Sequence, residues 1–135
     1  MTPKEIFEDF LERIEGVKFV TRRDELVEVK NSGPFQVGEG WYPILKCLIE
    51  ELIQAGWNKE IFQCKEKFGG LRFYINENII GGDMNLNRII SKYEELSYNF
   101  CEVCGEEGRI RKDLSWIETL CDTHYQEKKN KKGSN

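Results

Sequence analysis

Residues 101–124 read CEVCGEEGRIRKDLSWIETLCDTH. Two residues separate Cys101 from Cys104, sixteen separate Cys104 from Cys121, and two separate Cys121 from His124. Zinc favours four thiolate or imidazole ligands in a tetrahedron, and a Cys-x-x-Cys turn presents two thiolates from one knuckle. Cys101, Cys104, Cys121 and His124 therefore form a candidate set for one Zn2+ ion. Four protein ligands close the shell, whereas a catalytic zinc keeps a position open for water or substrate. The His-x-Glu plus Pro-Cys-x-x-Cys pattern of zinc deaminases is absent, as is the His-Glu-x-x-His of metalloproteases. His124 is the single histidine, so a finger nuclease would lack the second histidine that activates water. The expected role is structural, and no catalytic residue is assigned.

A second candidate lies in IFQCKEKFGGLRFYIN, two strand-like runs joined by Gly-Gly. With Gly69-Gly70 as a two-residue loop, Phe68 faces Leu71 and the pairs run Lys67–Arg72, Glu66–Phe73, Lys65–Tyr74 and Cys64–Ile75. Alternation then sends Phe62, Cys64, Phe68, Leu71, Phe73 and Ile75 to the core, and Gln63, Lys65, Lys67, Arg72 and Tyr74 outward. Lys65, Lys67, Arg72 and Tyr74 on one face read as a solvated strand surface or as a binding site for an anion: a phosphate, a nucleotide or an acidic protein surface. Directly opposed Lys67 and Arg72 repel, which favours an anion between them. Glu66 lands on the apolar side, open to reading as an edge residue, the mark of a bulge, a partner for an inward cation or a carboxylic acid of raised pKa. GEGWYP, ahead of a helical pattern, is a weaker anion-loop candidate, and its Trp41 and Tyr42 read first as core cover.

The elements that must position these groups are legible from periodicity and punctuation. Thr2-Pro3 starts a helix whose apolar face is Ile6, Phe7, Phe10, Leu11 and Ile14, and Gly16 stops it. Val17–Thr21 and Leu26–Val29 read as short strands. A helix over about 41–55 buries Ile44, Leu45, Leu48, Ile49, Leu52 and Ile53, and another spans about 86–98. Between the cysteine pairs, Arg109–Arg111 and Trp116–Leu120 can pair as a short hairpin. Cys121 through His124 then open a final helix, the knuckle–hairpin–helix order of a treble-clef finger. The expected architecture is a compact α+β domain with helices on a small antiparallel sheet. Its body covers residues 1–100, a treble-clef-like zinc module 101–128, and a basic flexible tail 129–135.

The chain has 135 residues, the size of one domain, and its 39% hydrophobic and 33% charged residues suit a folded globular protein. No apolar run approaches the ~20 residues of a membrane helix, and the charged N-terminus does not read as a signal peptide. A cytosolic setting is expected, where the five cysteines serve as ligands or buried apolar residues rather than disulfides. Net charge is −4, with the acid excess before residue 61. That balance argues against a strongly nucleic-acid-binding domain and leaves room for a local basic patch.

The segments GEGWYPIL, KEKFGGLRFYI, CEVCG and WIETLCDTH, in this order, resemble an uncharacterised family of small proteins found mainly in phages and prophages. The resemblance spans roughly residues 35 to 124. It maps the metal ligands onto the same Cys101, Cys104, Cys121 and His124. Glu106-Glu107 stand where the family often has a proline. The resemblance implies a phage accessory context and little about mechanism; the expected role is a phage-encoded accessory or anti-defence factor in the cytoplasm of a bacterial host. The expected partner is a host protein or a small anionic, nucleotide-like ligand. The alternative is a nucleic-acid-binding or nucleic-acid-processing factor using the hairpin's Glu66, Lys67 and Arg72.

Overall fold

The computed structural model describes residues 1–76 and 82–133. Helix α1 (Pro3–Arg13) opens on a capping box. Thr2 Oγ1 accepts from the Glu5 N–H at 3.1 Å, and the Glu5 carboxylate accepts from the Thr2 N–H at 3.1 Å. It buries Phe7, Phe10 and Leu11. Strands β1 (Lys18–Val20) and β2 (Leu26–Glu28) form a hairpin whose turn is held by Thr21 Oγ1, which accepts from the Arg23 and Glu25 N–H groups. A 3-10 turn at Glu39–Trp41 leads into α2 (Tyr42–Gln54), which buries Ile44, Leu45, Leu48, Ile49 and Leu52 at helical spacing. Helix α2 sits at the centre of the core, in contact with both α1 and α3 (Met84–Ser97). Asp83 caps α3, accepting from the Asn85 and Leu86 N–H groups.

The α+β class is as expected, but the main sheet is mixed. Its strand order is β2-β1-β3-β4, with β3 (Glu60–Lys67) and β4 (Gly70–Ile75) antiparallel and β1 parallel to β3. The expected all-antiparallel sheet fails at the β1–β3 pair, which is parallel, and the connection from β1 to β3 is correspondingly long, holding β2 and α2. Helix α3 covers the outer edge of β4. Ser97 Oγ accepts from the Leu71 N–H at 3.0 Å and Glu94 Oε2 from the Phe73 N–H at 2.9 Å, which closes an edge otherwise open to pairing with another chain.

The β3–β4 register also differs from the expected one. The two-residue loop is Phe68-Gly69, not Gly69-Gly70, and the pairs are Lys67–Gly70, Glu66–Leu71, Lys65–Arg72, Cys64–Phe73 and Gln63–Tyr74. Phe68 and Gly69 both have positive φ, 53° and 84°, as a type I′ hairpin turn requires. Gly70 serves another purpose: a Cβ there would lie 2.3 Å from the Tyr98 hydroxyl, so only glycine lets α3's end approach the strand. The shift is two residues, so faces are kept for most of the hairpin. Two side chains expected in the core are outside it: Phe68 because it occupies the turn, and Phe62 because a bulge between Ile61 and Gln63 turns it outward.

The C-terminal part pairs β5 (Arg109–Arg111) with β6 (Glu118–Leu120) and ends in α4 (Asp122–Gly133). Helix α4 continues through residues 129–133 of the basic segment, while 134–135 lie outside the described residues.

Candidate metal centre

The four ligand residues arrive from three local structures. Cys101 and Cys104 flank a tight turn closed by the Gly105 N–H donating to the Cys101 carbonyl at 2.8 Å, with Gly105 in the left-handed region at φ 82°. The Cys101 N–H donates to the Glu106 carbonyl at 2.7 Å, so Glu106-Glu107 close the knuckle without a proline. Cys121 follows β6 directly, and His124 lies in the first turn of α4, its N–H 3.5 Å from the Cys121 sulfur. Arg111 fixes the start of α4. Its guanidinium donates to the Leu120 carbonyl and to Asp122 at 2.7 Å and lies 4.3 Å from the Tyr125 ring centroid.

The resulting cluster meets the dimensions of a metal site. One ligand atom from each of Cys101, Cys104, Cys121 and His124 lies within 4.8 Å of all the others. Cys104 Sγ is 3.8 Å from Cys121 Sγ, and His124 Nδ1 is 3.6 Å from Cys101 Sγ and 3.2 Å from Cys121 Sγ. A tetrahedron with metal–sulfur bonds of about 2.3 Å and metal–nitrogen bonds of about 2.0 Å has S–S edges of about 3.8 Å and S–N edges of about 3.5 Å. The 3.8 Å and 3.6 Å separations match those edges, the 3.2 Å one is shorter, and all four donors fall within 4.8 Å of one another. His124 turns Nδ1 to the sulfurs, and its Nε2 lies 4.0 Å from the Glu127 carboxylate, beyond hydrogen-bond distance.

Burial raises the Cys101 thiol pKa, but N–H groups of Cys121, Cys104 and Val103 outweigh it and bring the thiol down to about 7. Cys104 is pushed up to about 11, chiefly by burial. One thiol is thus ready to ionise, and a cation at the centre favours ionisation of its neighbours as well. The remaining cysteines take no part: Cys64 is buried, and its thiol pKa is raised by that burial, while Cys47 is exposed.

The GEGWYP stretch turns out to be the surface on which the knuckle rests. The Gly40 N–H donates to the Glu102 carbonyl at 2.8 Å, the Gly38 N–H to the Glu102 carboxylate at 2.9 Å, and Trp41 Nε1 to the Phe100 carbonyl at 2.9 Å. A Cβ on Gly40 would stand 2.2 Å from the Cys101 carbonyl oxygen, and one on Gly38 2.3 Å from that of Glu102. The glycines admit backbone against backbone, and the N–H groups expected to hold an anion hold the knuckle instead. Trp41 and Tyr42 are core residues, as the first reading had them. A second contact joins the module to the β3–β4 turn, where Thr119 Oγ1 donates to the Gly69 carbonyl at 2.7 Å. Glu102, trapped between these parts, has its carboxyl pKa raised, first by burial and further by Glu66 and Glu118.

On the hairpin face, Lys65 stands opposite Arg72 and Gln63 opposite Tyr74, while Lys67 faces Gly70. Arg72 is engaged: it donates to the Tyr98 hydroxyl at 3.1 Å and to the Leu71 carbonyl at 2.9 Å. The hydrogen bond to Tyr98 is also the main cause of its raised pKa. Lys67 lies 5.6 Å from the Phe68 ring centroid, and Tyr74 is exposed. Lys65, Arg72 and Tyr74 share a face, with Arg72 spent on joining β4 to the end of α3. Glu66 sits at the edge beside the turn, where Oε2 accepts from the Gly69 N–H at 2.7 Å.

Comparison of the chain with protein-family models, curated proteins and solved structures returned no match. Among the described residues no helix is long and apolar enough to cross a membrane.

Proposed function

We propose that the chain is a non-catalytic binding protein whose fold is clipped by one structural Zn2+ ion held by Cys101, Cys104, Cys121 and His124. The convergence of three thiols and one imidazole within 4.8 Å of one another supports this reading, since four protein ligands would leave a tetrahedral zinc no position for water. The knuckle's seat on Gly38, Gly40 and Trp41 supports a structural role, because the metal would lock two distant segments together. Following the resemblance in sequence, the proposed setting is a phage-encoded accessory or anti-defence factor acting in the bacterial cytoplasm. Its proposed partner is a host protein or a small anionic ligand.

Protein purified without added metal should contain about one equivalent of zinc by elemental analysis, and Cys104→Ser should lose it. Full zinc content in that variant would refute the ligand set. Affinity capture from bacterial lysate, with mass spectrometry of proteins and nucleotides, tests the binding role. A measured turnover that chelation abolishes without unfolding the chain would replace it with a catalytic one.

A further inference from the structure

The two outer edges of the main sheet are finished differently. Beside β4, the Ser97 and Glu94 side chains take up outward N–H groups, whereas nothing among the described residues pairs with the outer edge of β2. Which groups of β2 point outward follows from its hairpin with β1. Directly opposed residues of an antiparallel pair alternate between hydrogen-bonded and unbonded. The Thr21 N–H donates to the Glu25 carbonyl and the Val29 N–H to the Val17 carbonyl, both at 2.8 Å, and the register sets Phe19 opposite Val27 midway between them. Val27 is therefore bonded to β1, while the N–H and carbonyl groups of Leu26 and Glu28 face outward. The side chains match this open edge. Val27 lies on the face of the sheet that carries Phe19 and the buried Val29, yet it is 52% exposed. Leu26, on the opposite face, is 48% exposed. An open edge with two half-exposed aliphatic residues and no proline is a template for another strand.

We propose that β2 pairs with β2 of a second copy of this chain, antiparallel about a two-fold axis at Val27, so that two four-stranded sheets become one. The occupant is this chain because its own sequence supplies the complement. An axis at Val27 sets Leu26 opposite the second copy's Glu28, and these are the residues whose backbone groups face outward. The two such pairs exchange four N–H to carbonyl hydrogen bonds and leave the β1 ladder untouched. Val27 meets the second copy's Val27 at the close spacing of an unbonded pair, which continues the apolar face across the axis. Beyond the strand the same axis brings Lys30 opposite Asp24, and no two like charges fall directly opposite between residues 22 and 32. The neighbouring registers lack this property. An axis at Leu26 would set Asp24 against Glu28, and one at Glu28 would set that carboxylate against itself. A contact of this kind uses the same edge on both copies, so it closes at a dimer. The pairing goes beyond the binding role proposed above and does not depend on it.

Sedimentation velocity of the zinc-loaded protein should show a monomer–dimer equilibrium, with a dissociation constant of about micromolar or weaker because the contact is short. Residue-resolved hydrogen exchange reads the register. The Leu26 and Glu28 amides should exchange more slowly as concentration rises, while the Val27 amide, already bonded to β1, should not change. Val27→Lys and Val27→Glu should each weaken self-association about tenfold or more, since like charges then meet on the axis. An equimolar mixture of the two should associate again as a heterodimer. Leu26→Pro removes an outward donor and keeps the β1 pairing, so it should shift the protein to monomer while its far-ultraviolet spectrum and zinc content stay those of the parent. This variant and the exchange measurement stand even if a charge at position 27 disturbs folding. A parent that remains monomeric up to about millimolar concentration overturns the proposal. So does a dimer whose Leu26 and Glu28 amides exchange as they do in the monomer, or one that Leu26→Pro leaves intact. A mixture of folded charge variants that stays monomeric rejects the axis at Val27 and with it the pairing.

Discussion

Arg72 and Lys67 show how position changes the worth of similar charges. Arg72 links two elements through the Tyr98 hydroxyl and the Leu71 carbonyl, while Lys67 reaches over the exposed Phe68 ring. Arg72→Ala should therefore cost about 1.5–3 kcal/mol by denaturant unfolding, the range for hydrogen bonds involving a charged group. Lys67→Ala should stay within ~0.5 kcal/mol. Equal effects of the two substitutions would contradict this placement. Glu94 offers a pH test. Burial raises its carboxyl pKa, and the Phe73 N–H and Arg72 only partly offset this. Between the ordinary carboxylate pKa and that raised value, the native chain holds a proton that the unfolded chain has lost. Stability contributed by this group therefore falls as pH rises through the window. Glu94→Gln keeps an acceptor for the Phe73 N–H and removes the charge. It should melt higher than the parent at neutral pH, and the gain should shrink as pH is lowered toward the ordinary carboxylate range. Comparing variant and parent at each pH cancels metal loss, and a lower melting temperature at neutral pH would count against the account.

At the scale of elements, the decisive contact is between the loop ahead of α2 and the knuckle. Gly40→Ala would set a methyl group 2.2 Å from the Cys101 carbonyl and 2.5 Å from the Gly105 nitrogen, both backbone atoms that cannot rotate away. We expect a loss of about 3 kcal/mol from such overpacking. Zinc affinity in a competition with a colorimetric chelator should weaken in step, since folding and ligation are coupled. Gly56→Ala is the control: no atom lies within 4 Å of its added Cβ, although φ is 88°, so its cost is backbone strain and should leave metal affinity nearly unchanged. Should Gly40→Ala bind zinc as tightly as the parent, the loop and the knuckle are not energetically linked.

For the whole molecule, the C-terminal module meets the α+β body at Gly38–Trp41 under the knuckle and at Gly69 against Thr119, among other contacts. Zinc removal should consequently lower the melting temperature of the α2 and β3–β4 signals together with that of the module, in one transition. Separate transitions by far-ultraviolet and tryptophan probes would show that the body does not depend on the clip. The sequence alone determined the Cys101, Cys104, Cys121 and His124 cluster, the start of α1 at Thr2-Pro3, the buried face of α2 and the existence of the β3–β4 hairpin. Each of these is a local pattern in which ligand spacing or apolar periodicity acts within a few residues. It did not determine which glycine makes the turn, because Gly69 and Gly70 are equivalent in sequence and are distinguished by Tyr98, a residue 28 positions beyond Gly70. Nor did it determine that GEGWYP carries the knuckle, since the partner backbone at Cys101 and Glu102 lies some sixty residues away. Those decisions belong to tertiary structure because they are steric: a missing Cβ has meaning only once the atom that would collide with it is in place.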